Sequence, residues 1–282
     1  MGRMRVANVP SHTLAAELLL MHTLGRDRAW LYTHPEEPLE STAKEKYFEL
    51  VERRAAGTPT QYLTGKQEFW GLEFEVTPAV LIPRPETEHV VEVSLARLGR
   101  RKNSLPLRIA DVGTGSGCLA IALAHELPGA EVVATDISAA GLEVARRNAA
   151  RHGAGERIEF VECHLLDAFL TSWPDSSGAR FDLIVSNPPY VARSEAEELP
   201  REVLEHEPAT ALFGGERGDE IYAPLAVQAA KLLEQGGVLV LELGYNMSIA
   251  VGALFEPARG WIRVSITEDL AGIPRVLAAE RA

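Results

Sequence analysis

The sequence predicts an α/β protein: a mainly parallel, Rossmann-like sheet covered by helices on both faces, preceded by a small helical bundle and a β-hairpin. Three observations support this. From Leu107 onwards, short apolar runs alternate with helical stretches, as in parallel sheets. A Gly-x-Gly-x-Gly turn at 113–117 follows the first of these runs. The first third of the chain lacks the alternation and spaces its apolar residues as helices do.

The N-terminal third is expected to form a small helical bundle. Apolar residues recur at helical spacing in 11–24, and 26–32 predicts a short additional helix. Thr42 and Glu45 have the spacing of a capping box at the start of another helix, which Gly57 ends. The residues expected to face the bundle core are Leu14, Leu18, Met21, Tyr47, Val51 and Ala55.

A hairpin and a stiff crossing are expected between the bundle and the sheet. Residues 67–76 alternate apolar and polar side chains around Gly71, a pattern that predicts a β-hairpin. Pro83 and Pro85 then restrict the backbone before a helix over 86–98. We therefore expect a helical substrate-recognition domain at 1–65, a hairpin linker at 66–83 and a cofactor-binding domain at 84–282.

The remaining strands are predicted by short apolar runs separated by helical stretches. Polar residues end three of them: Asp111, Asp136 and Asn187. The carboxyl ends of parallel strands share one edge of a sheet, where ligands bind, so one crevice is expected to hold all three side chains. The strands are expected near 107–112, 131–136, 158–162, 181–186, 237–242, 261–267 and 274–279.

The glycine-rich turn at 113–117 indicates a cofactor site. Glycines allow positive φ and close approach of a ligand, and an acidic residue at the end of the second strand, Asp136, is placed to hold a ribose diol. A dinucleotide and S-adenosylmethionine both fit this outline. The dinucleotide fingerprint has its third glycine one residue later, and Asp111 would repel a pyrophosphate. S-adenosylmethionine, with its cationic sulfonium and ammonium groups, is the better match; a turn that binds nothing is the plainer alternative.

Asn187-Pro188-Pro189-Tyr190, directly after a buried apolar run, indicates a binding site for a planar amide or amine. Proline fixes its own φ and favours extended geometry in the residue before it, so Asn187 is held in one orientation. Its carboxamide can accept a hydrogen bond from a conjugated –NH2 group and donate one back. Tyr190 offers an aromatic face for stacking. An ordinary loop would explain the tetrad equally well if it stood alone.

The overall composition is that of an ordinary globular chain, with 46% hydrophobic and 24% charged residues. The formal net charge of −12 argues against a protein that grips a long duplex, although local basic runs exist at 53–54 and 100–102. We expect no membrane span and no signal peptide. The two cysteines, Cys118 and Cys163, are expected to be packed thiols in a cytoplasmic protein. The histidines show no metal-ligand spacing, and no metal site is expected.

Over nearly its whole length the chain resembles the HemK/PrmC family, the peptide chain release factor glutamine methyltransferases. The combination of 81–88 with the 187–190 tetrad is specific to fewer proteins than the glycine turn, which many methyltransferases share. The matching segments are 54–65 (RAAGTPTQYLTG), 69–71 (FWG), 81–88 (LIPRPETE), 111–117 (DVGTGSG), 187–190 (NPPY), 207–208 (EP), 211–215 (ALFGG) and 269–272 (DLAG).

The resemblance implies a class I methyltransferase sheet and a defined reaction. Such enzymes transfer a methyl group from S-adenosylmethionine to the amide nitrogen of the glutamine in the Gly-Gly-Gln motif of class I release factors, which their N-terminal bundle helps to grip. Carried over, Asn187, Tyr190 and the Pro188 carbonyl would bind the substrate amide. Pro189, Arg84 and Glu86 are also expected at the substrate, with locking of the hairpin to the sheet as the alternative role of Arg84 and Glu86. The cofactor would contact Gly113, Thr114, Gly115, Ser116, Gly117, Asp136, His164, Leu165 and Asn187.

Two positions depart from the family pattern. Many relatives end the third strand with an acidic residue near the adenine, whereas this chain has Cys163-His164-Leu165 there, and Asp167 lies further on. Either His164 contacts the adenine, or backbone groups suffice, or His164 has no role. Met247 stands where the family tends to carry glutamine. Neither departure touches the tetrad.

Three other functions remain open. A DNA adenine methyltransferase would use the same tetrad on a flipped base, but the acidic charge and the absence of an obvious target-recognition insertion argue against it. A ribosomal-protein glutamine methyltransferase has the same chemistry, and only the segment 54–65 favours release factors. A catalytically silent cofactor-binding scaffold would not need Asn187 and Tyr190 intact.

Overall fold

A computed structural model of the chain describes residues 2–99, 106–172 and 180–282. The basic run 100–102 lies outside them. In the part described, none of the helices combines the length and the apolar character that a bilayer crossing requires.

Five helices form the N-terminal bundle. Its own apolar core includes Met4, Leu19, Leu50 and Val51, with Tyr47 and Ala55 packed against it, as predicted for α4. The helices are α1 Gly2–Val6, α2 His12–Leu24, α3 Arg28–Thr33, α4 Ser41–Ala55 and α5 Thr60–Thr64.

Two predictions for the bundle were wrong. Leu14 and Leu18 are 45% and 37% exposed, while α2 buries Ala15, Ala16 and Leu19. Small alanine side chains allow α2 to lie close to α4, so this stripe faces the core rather than the stripe of larger leucines. The capping box is also absent: Thr42 was expected at the N-cap, but Glu40 occupies that position without a side-chain cap bond, and α4 begins at Ser41.

The hairpin joins β1 Lys66–Phe69 to β2 Leu72–Glu75 through a two-residue turn. Trp70 and Gly71 both have positive φ, as a type I′ turn requires. Phe69 and Phe74 are buried in the core of the large domain. The Glu88 carboxylate accepts a hydrogen bond from the Trp70 backbone N–H at 2.8 Å, so Glu88 ties the hairpin to the domain.

A seven-stranded sheet forms the large domain, in the order β10-β11-β9-β6-β3-β4-β5. Five adjacent strands, from β9 to the edge strand β5, run parallel, and β11 is antiparallel to both its neighbours. This confirms the predicted α/β fold. The strands are β3 Arg108–Val112, β4 Glu131–Asp136, β5 Ile158–Glu162, β6 Phe181–Ser186, β9 Leu233–Glu242, β10 Trp261–Glu268 and β11 Pro274–Arg281.

Helices cover both faces of the sheet, and a separate apolar core lies under each layer. One core includes Val90, Leu98 and Ile121; the other includes Tyr222 and Leu225. The helices are α6 Glu88–Leu98, after a 3-10 turn at Pro85–Thr87, α7 Cys118–Glu126, α8 Ala139–Arg151, α9 Asp167–Ser172, α10 Arg201–His206, α11 Ala209–Leu212, α12 Tyr222–Leu232 and α13 Ser248–Gly252.

Residues 213–215, within the matching segment 211–215, form a short strand. β8 Phe213–Gly215 pairs in parallel with β7 Val191–Ala192. The pairing partner lies about twenty residues earlier, beyond the reach of a local turn pattern. Between the two strands runs the rim segment, defined here as residues 193–212, which contains a 3-10 helix at Arg193–Glu198 followed by α10 and α11.

The strand order places the loops after β3 and β6 side by side. β3 is hydrogen-bonded to β4 on one side and to β6 on the other, and Val112 lies beside Ser186 in the register. The Ser186 hydroxyl donates to the Val112 carbonyl at 2.6 Å. The glycine turn and Asn187 therefore begin at the same level of the same edge, where the chain direction across the sheet reverses.

Candidate active site

The turn after β3 is built from three glycines with positive φ: 74° at Gly113, 54° at Gly115 and 83° at Gly117. The Gly113 and Thr114 N–H groups donate to the Thr135 carbonyl, which holds the turn against β4. A Cβ at Gly117 would lie 3.1–3.2 Å from Ile121 and Ala145. At Gly113 and Gly115 a Cβ would meet no protein atom within 4 Å. The first two glycines thus leave open space that a ligand can fill.

Asp111 lies fully buried beneath this turn. Its Oδ2 accepts hydrogen bonds from the Thr114 hydroxyl at 2.6 Å and from the Ala120 N–H at 3.0 Å. Oδ1 has no hydrogen-bond partner in the described part of the chain. Burial raises the pKa of the carboxyl to about 7. A buried carboxyl with an unpaired oxygen is stabilised by a nearby positive charge, so the site fits a ligand with a cationic group.

Asp136, at the end of β4, is oriented towards the same cleft before any ligand arrives. Its Oδ2 accepts from the Gly115 N–H at 2.9 Å, and its Oδ1 accepts from the Ser138 N–H at 2.8 Å. A carboxylate has about four acceptor positions, so two backbone bonds leave capacity for a diol. The neighbouring Ile137 is 61% exposed and also lines the cleft.

The residues that follow β5 line another side of the cleft. Cys163, His164 and Leu165 all line the cleft. His164 is half-exposed and lies 3.4 Å from the Asp167 carboxylate, while Asp167 also accepts from the Gln228 amide at 2.7 Å. Leu165 has an unusual φ of 49°, and its carbonyl accepts from the Thr135 hydroxyl. Asp167 is therefore directed towards α12.

The Asn187 carboxamide is held by a chain of buried side chains. Its Nδ2 donates to the Thr87 hydroxyl at 3.0 Å. The Thr87 hydroxyl donates to Glu242 Oε2 at 2.6 Å, and Tyr190 Oη donates to Glu242 Oε1 at 3.4 Å. Thr87 and Glu242 are 2% and 1% exposed. Burial raises the pKa of Glu242 to about 7, although its bonds to Thr87 and Tyr190 act in the opposite direction.

The tetrad packs against β8 and the loop that follows it. A Cβ at Gly214 would overlap the carbonyl oxygens of Pro189 and Gly218, so only glycine fits there. The Tyr190 ring packs so closely on Gly244 that a Cβ at this glycine would lie 2.9 Å from it. Burial raises the pKa of the Tyr190 phenol, so Tyr190 stays neutral and keeps its proton for Glu242.

The glycine turn and the tetrad line one cleft of about 460 Å³. Asn187, Pro188 and Pro189 line it directly, opposite Arg84. Tyr190 lines an adjoining cavity of about 190 Å³ that shares Arg84, Asn187 and Pro188 with the cleft, and Glu86 lines neither. The other predicted cofactor residues that line the cleft are Gly113, Thr114, Gly115, Ser116, Asp136, His164 and Leu165. Gly117 lies just behind them.

Cys118 packs against the apolar core as expected, but both Cys118 and Cys163 are only partly buried and also line the cleft. α7 begins at Cys118, which places this side chain beside the glycine turn. Burial raises the pKa of the Cys118 thiol to about 12 and also raises that of Cys163. Both therefore stay protonated near neutral pH.

Sequence reasoning missed the residues that hold this site together. Glu207 is 6% exposed; it accepts from the Ile82 N–H at 3.2 Å and pairs with Arg84 at 2.5 Å. This anchors the rim segment beside the substrate end of the cleft. Thr87 and Glu242 were likewise given no role at Asn187, since they lie 100 and 55 positions away in sequence. The only available signals were the motifs 81–88 and 207–208.

Comparison with known proteins gives consistent results. Residues 2–65 match the PrmC N-terminal domain family, and residues 106–255 match a methyltransferase domain family. The Release factor glutamine methyltransferase of Koribacter versatilis (strain Ellin345) is 45% identical over 278 residues, covering 99% of this chain and 94% of the relative. The protein of the same name from Chlorobaculum tepidum is 49% identical over 233 residues, covering 82% and 78%.

Among solved structures, the hMettl16 catalytic domain in complex with MAT2A 3'UTR hairpin 1 superposes with a TM-score of 0.57. The match has 20% sequence identity and covers 80% of this chain and 78% of that chain. At this identity the likeness concerns the fold alone.

Proposed function

The chain belongs to the family of release factor glutamine methyltransferases, and on that premise we propose how its cleft selects and methylates its substrate. It is an S-adenosylmethionine-dependent protein-glutamine N-methyltransferase. Its proposed acceptor is the side-chain amide nitrogen of the glutamine in the Gly-Gly-Gln motif of class I release factors. The observation that supports this most directly is that Asn187 and the glycine turn line one cleft.

The residues around the glycine turn fit the cofactor. Gly113, Gly115 and the unpaired oxygen of Asp111 offer space and negative charge for its cationic methionine end. Asp136 retains acceptor capacity for the ribose hydroxyls. His164 and Leu165 lie where the adenine would be held, through the imidazole ring or the backbone. When bound, S-adenosylmethionine supplies an electrophilic methyl group on a sulfonium leaving group.

Asn187 and Pro188 would position the substrate amide. An amide nitrogen is a weak nucleophile because its lone pair is delocalised, so its direction relative to the methyl carbon matters. The Asn187 Oδ1 and the Pro188 carbonyl would each accept one N–H of the glutamine side chain, and the Tyr190 ring would support the planar group. Orientation of this kind contributes about 7–11 kcal/mol in favourable cases. We assign no general base; the proton released from nitrogen passes to water.

The N-terminal bundle is proposed to grip the release factor. Residues 1–65 would recognise the protein substrate, residues 66–83 would link the two domains, and residues 84–282 would carry out the methyl transfer. The exposed Leu14, Leu18 and Phe48 provide apolar contact area on this bundle. A cytoplasmic location follows from a substrate that acts in translation.

Mass spectrometry of an unmodified class I release factor, incubated with this protein and S-adenosylmethionine, tests the assignment. We expect the Gly-Gly-Gln peptide to gain one methyl group on the glutamine. Parallel incubations with ribosomal proteins and with duplex DNA test the two alternative substrates. Methylation of either of these, with an unmodified release factor, would contradict the proposal.

A further inference from the structure

Three side chains from separate parts of the fold form a continuous chain of hydrogen bonds that ends at the candidate substrate amide site. Thr87 ends the 3-10 turn before α6, Asn187 follows β6, and Glu242 ends β9. The bonds are 3.0 Å from Asn187 Nδ2 to Thr87 Oγ1 and 2.6 Å from Thr87 Oγ1 to Glu242 Oε2. Thr87 and Glu242 are buried, so the bond between them is shielded from water.

The chain has a fixed direction because a hydroxyl has only one proton. Thr87 donates that proton to the Glu242 carboxyl, so its oxygen faces Asn187 as an acceptor. Only the –NH2 end of the Asn187 carboxamide can satisfy an acceptor; the reverse orientation would bring two oxygens together without a proton. When Glu242 is protonated on Oε1, this O–H donates to the Tyr190 oxygen, so the Tyr190 bond reverses while Oε2 still accepts from Thr87.

We propose that Thr87 and Glu242 are positioning residues that set the direction of the Asn187 carboxamide and thereby make the substrate end of the cleft selective for an –NH2 group. With Nδ2 committed to Thr87, Oδ1 is the atom left for the substrate. Together with the Pro188 carbonyl, it presents two acceptors to the substrate. A glutamine side chain then binds with its nitrogen, not its oxygen, towards the methyl donor. This inference rests on the proposed function and deepens it.

The first test measures the direction of the carboxamide without any catalysis. In protein labelled with 15N on asparagine side chains, the Asn187 –NH2 signal, assigned by its loss in Asn187→Ala, should exchange slowly with solvent. Thr87→Val removes the acceptor at nearly constant volume and should abolish this protection, and Thr87→Ser should retain it. Ser94→Ala is the matched control, since it removes a buried hydroxyl of α6 that has no partner in the described residues. Unchanged protection in Thr87→Val would overturn the inference.

The second test measures the consequence for turnover. Thr87→Val should lower kcat on a release factor by about 10²-fold, the size expected from a misplaced reacting group, while the Kd for S-adenosylmethionine stays unchanged. Thr87→Ser should restore most of the activity. Glu242→Gln keeps an oxygen that can accept from Thr87 and should stay close to the unaltered protein, whereas Glu242→Met should resemble Thr87→Val.

The two proposals fail in distinguishable ways. If the unaltered protein does not methylate release factors, the proposed substrate is wrong, and the exchange measurement still decides the direction of the carboxamide. If the unaltered protein is active and Thr87→Val matches it in kcat, the positioning role is wrong. Equal losses in Glu242→Gln and Glu242→Met, with parallel losses of thermal stability, would reduce Glu242 to a purely structural residue and overturn its positioning role.

Discussion

Single residues of the cleft are oriented before a ligand arrives. Asp136 accepts two backbone N–H groups, Asn187 donates to Thr87, and Glu207 holds Arg84 and the Ile82 N–H. Asp136, Asn187 and Arg84 line the cleft and supply it with acceptors and a positive charge. Groups that need little reorganisation on binding lose less free energy to ordering.

Replacing Asn187 by alanine should impair the substrate end of the cleft and leave the cofactor end unchanged. The substrate amide loses an acceptor, so kcat on a release factor should fall by about 10²-fold or more. The glycine turn and Asp136 are untouched, so the Kd for S-adenosylmethionine, measured by calorimetry, should change little. An equal loss of cofactor affinity and turnover would show that Asn187 serves mainly the cofactor.

Replacing Asp111 by asparagine should raise stability in a pH-dependent way. The folded-state pKa of Asp111 is about 7, above the ordinary value of 3.8. Its stabilising contribution is therefore complete below pH 3.8 and is lost as pH rises to about 7, because the unfolded chain ionises first. Asparagine does not titrate. The gain of Asp111→Asn in unfolding free energy should grow by about 2–3 kcal/mol between pH 5 and pH 8.

Denaturant unfolding of the ligand-free protein at the two pH values measures this difference. Glu242 also has a raised pKa of about 7, but it is present in both proteins and cancels in the comparison. A gain that is the same at pH 5 and pH 8 would contradict the buried-charge explanation.

Neighbouring elements hold the cleft in shape through close backbone contact. Gly214 of β8 lies directly against the Pro189 carbonyl, and Gly218 in the following loop lies against the Tyr190 carbonyl. The β7–β8 pairing brings the two ends of the rim segment together. The tetrad is thus supported from behind by Gly214, Gly218 and Gly244. Proline rigidity explains only part of its fixed geometry.

Gly214→Ala should damage the substrate side of the cleft. The added methyl group overlaps two carbonyl oxygens, and overpacking of this kind costs about 1–3 kcal/mol. We expect a lower Tm and a raised KM for the release factor, with a smaller effect on cofactor affinity. Gly252→Ala in α13 is the control, since its Cβ would meet only Ile266, at 3.9 Å. Equal effects of the two substitutions would exclude the close contact as the cause.

Local sequence patterns predicted most helices and strands well, but they predicted the long-range contacts between them poorly. The parallel strands follow from local alternation, so Asp136 and Asn187 were placed correctly at one cleft. Asp111 was expected in the same crevice, but it is fully buried beneath the glycine turn and does not line the cleft. Thr87, Glu207 and Glu242 act through partners 100 or more positions away, which no local pattern reveals. The buried face of α2 was misjudged because close helix packing selects small alanines over leucines.

Across the whole molecule, the N-terminal bundle contacts the rim segment directly. Arg54, at the end of α4, forms an ion pair with Glu202 of α10, and Tyr62 donates to the Val80 carbonyl at 2.6 Å. The Arg54 side chain is 6% exposed and Glu202 is 28% exposed. Arg54 also donates to the Thr58 carbonyl at 3.3 Å. The proposed recognition domain is thereby mechanically connected to the substrate side of the cleft.

A double-mutant cycle should measure this connection. Arg54→Met and Glu202→Gln should each destabilise the protein, and their combination should cost less than the sum by about 0.5–3 kcal/mol. The same variants should raise KM for an intact release factor. Additive effects on unfolding would show that the pair contributes nothing. Arg201→Gln, which alters an exposed pair with Glu205 on the same helix, is the control.

The bond between Ser186 and Val112 has an evolutionary consequence. The proposed site of methyl transfer lies at the ends of two adjacent strands, and the spacing of about 4.8 Å between neighbouring strands is common to all β-sheets. Peripheral loops and the amino-terminal helices can diverge without disturbing that distance. Proteins with this fold can therefore change their macromolecular substrate during evolution while the geometry of methyl transfer stays the same.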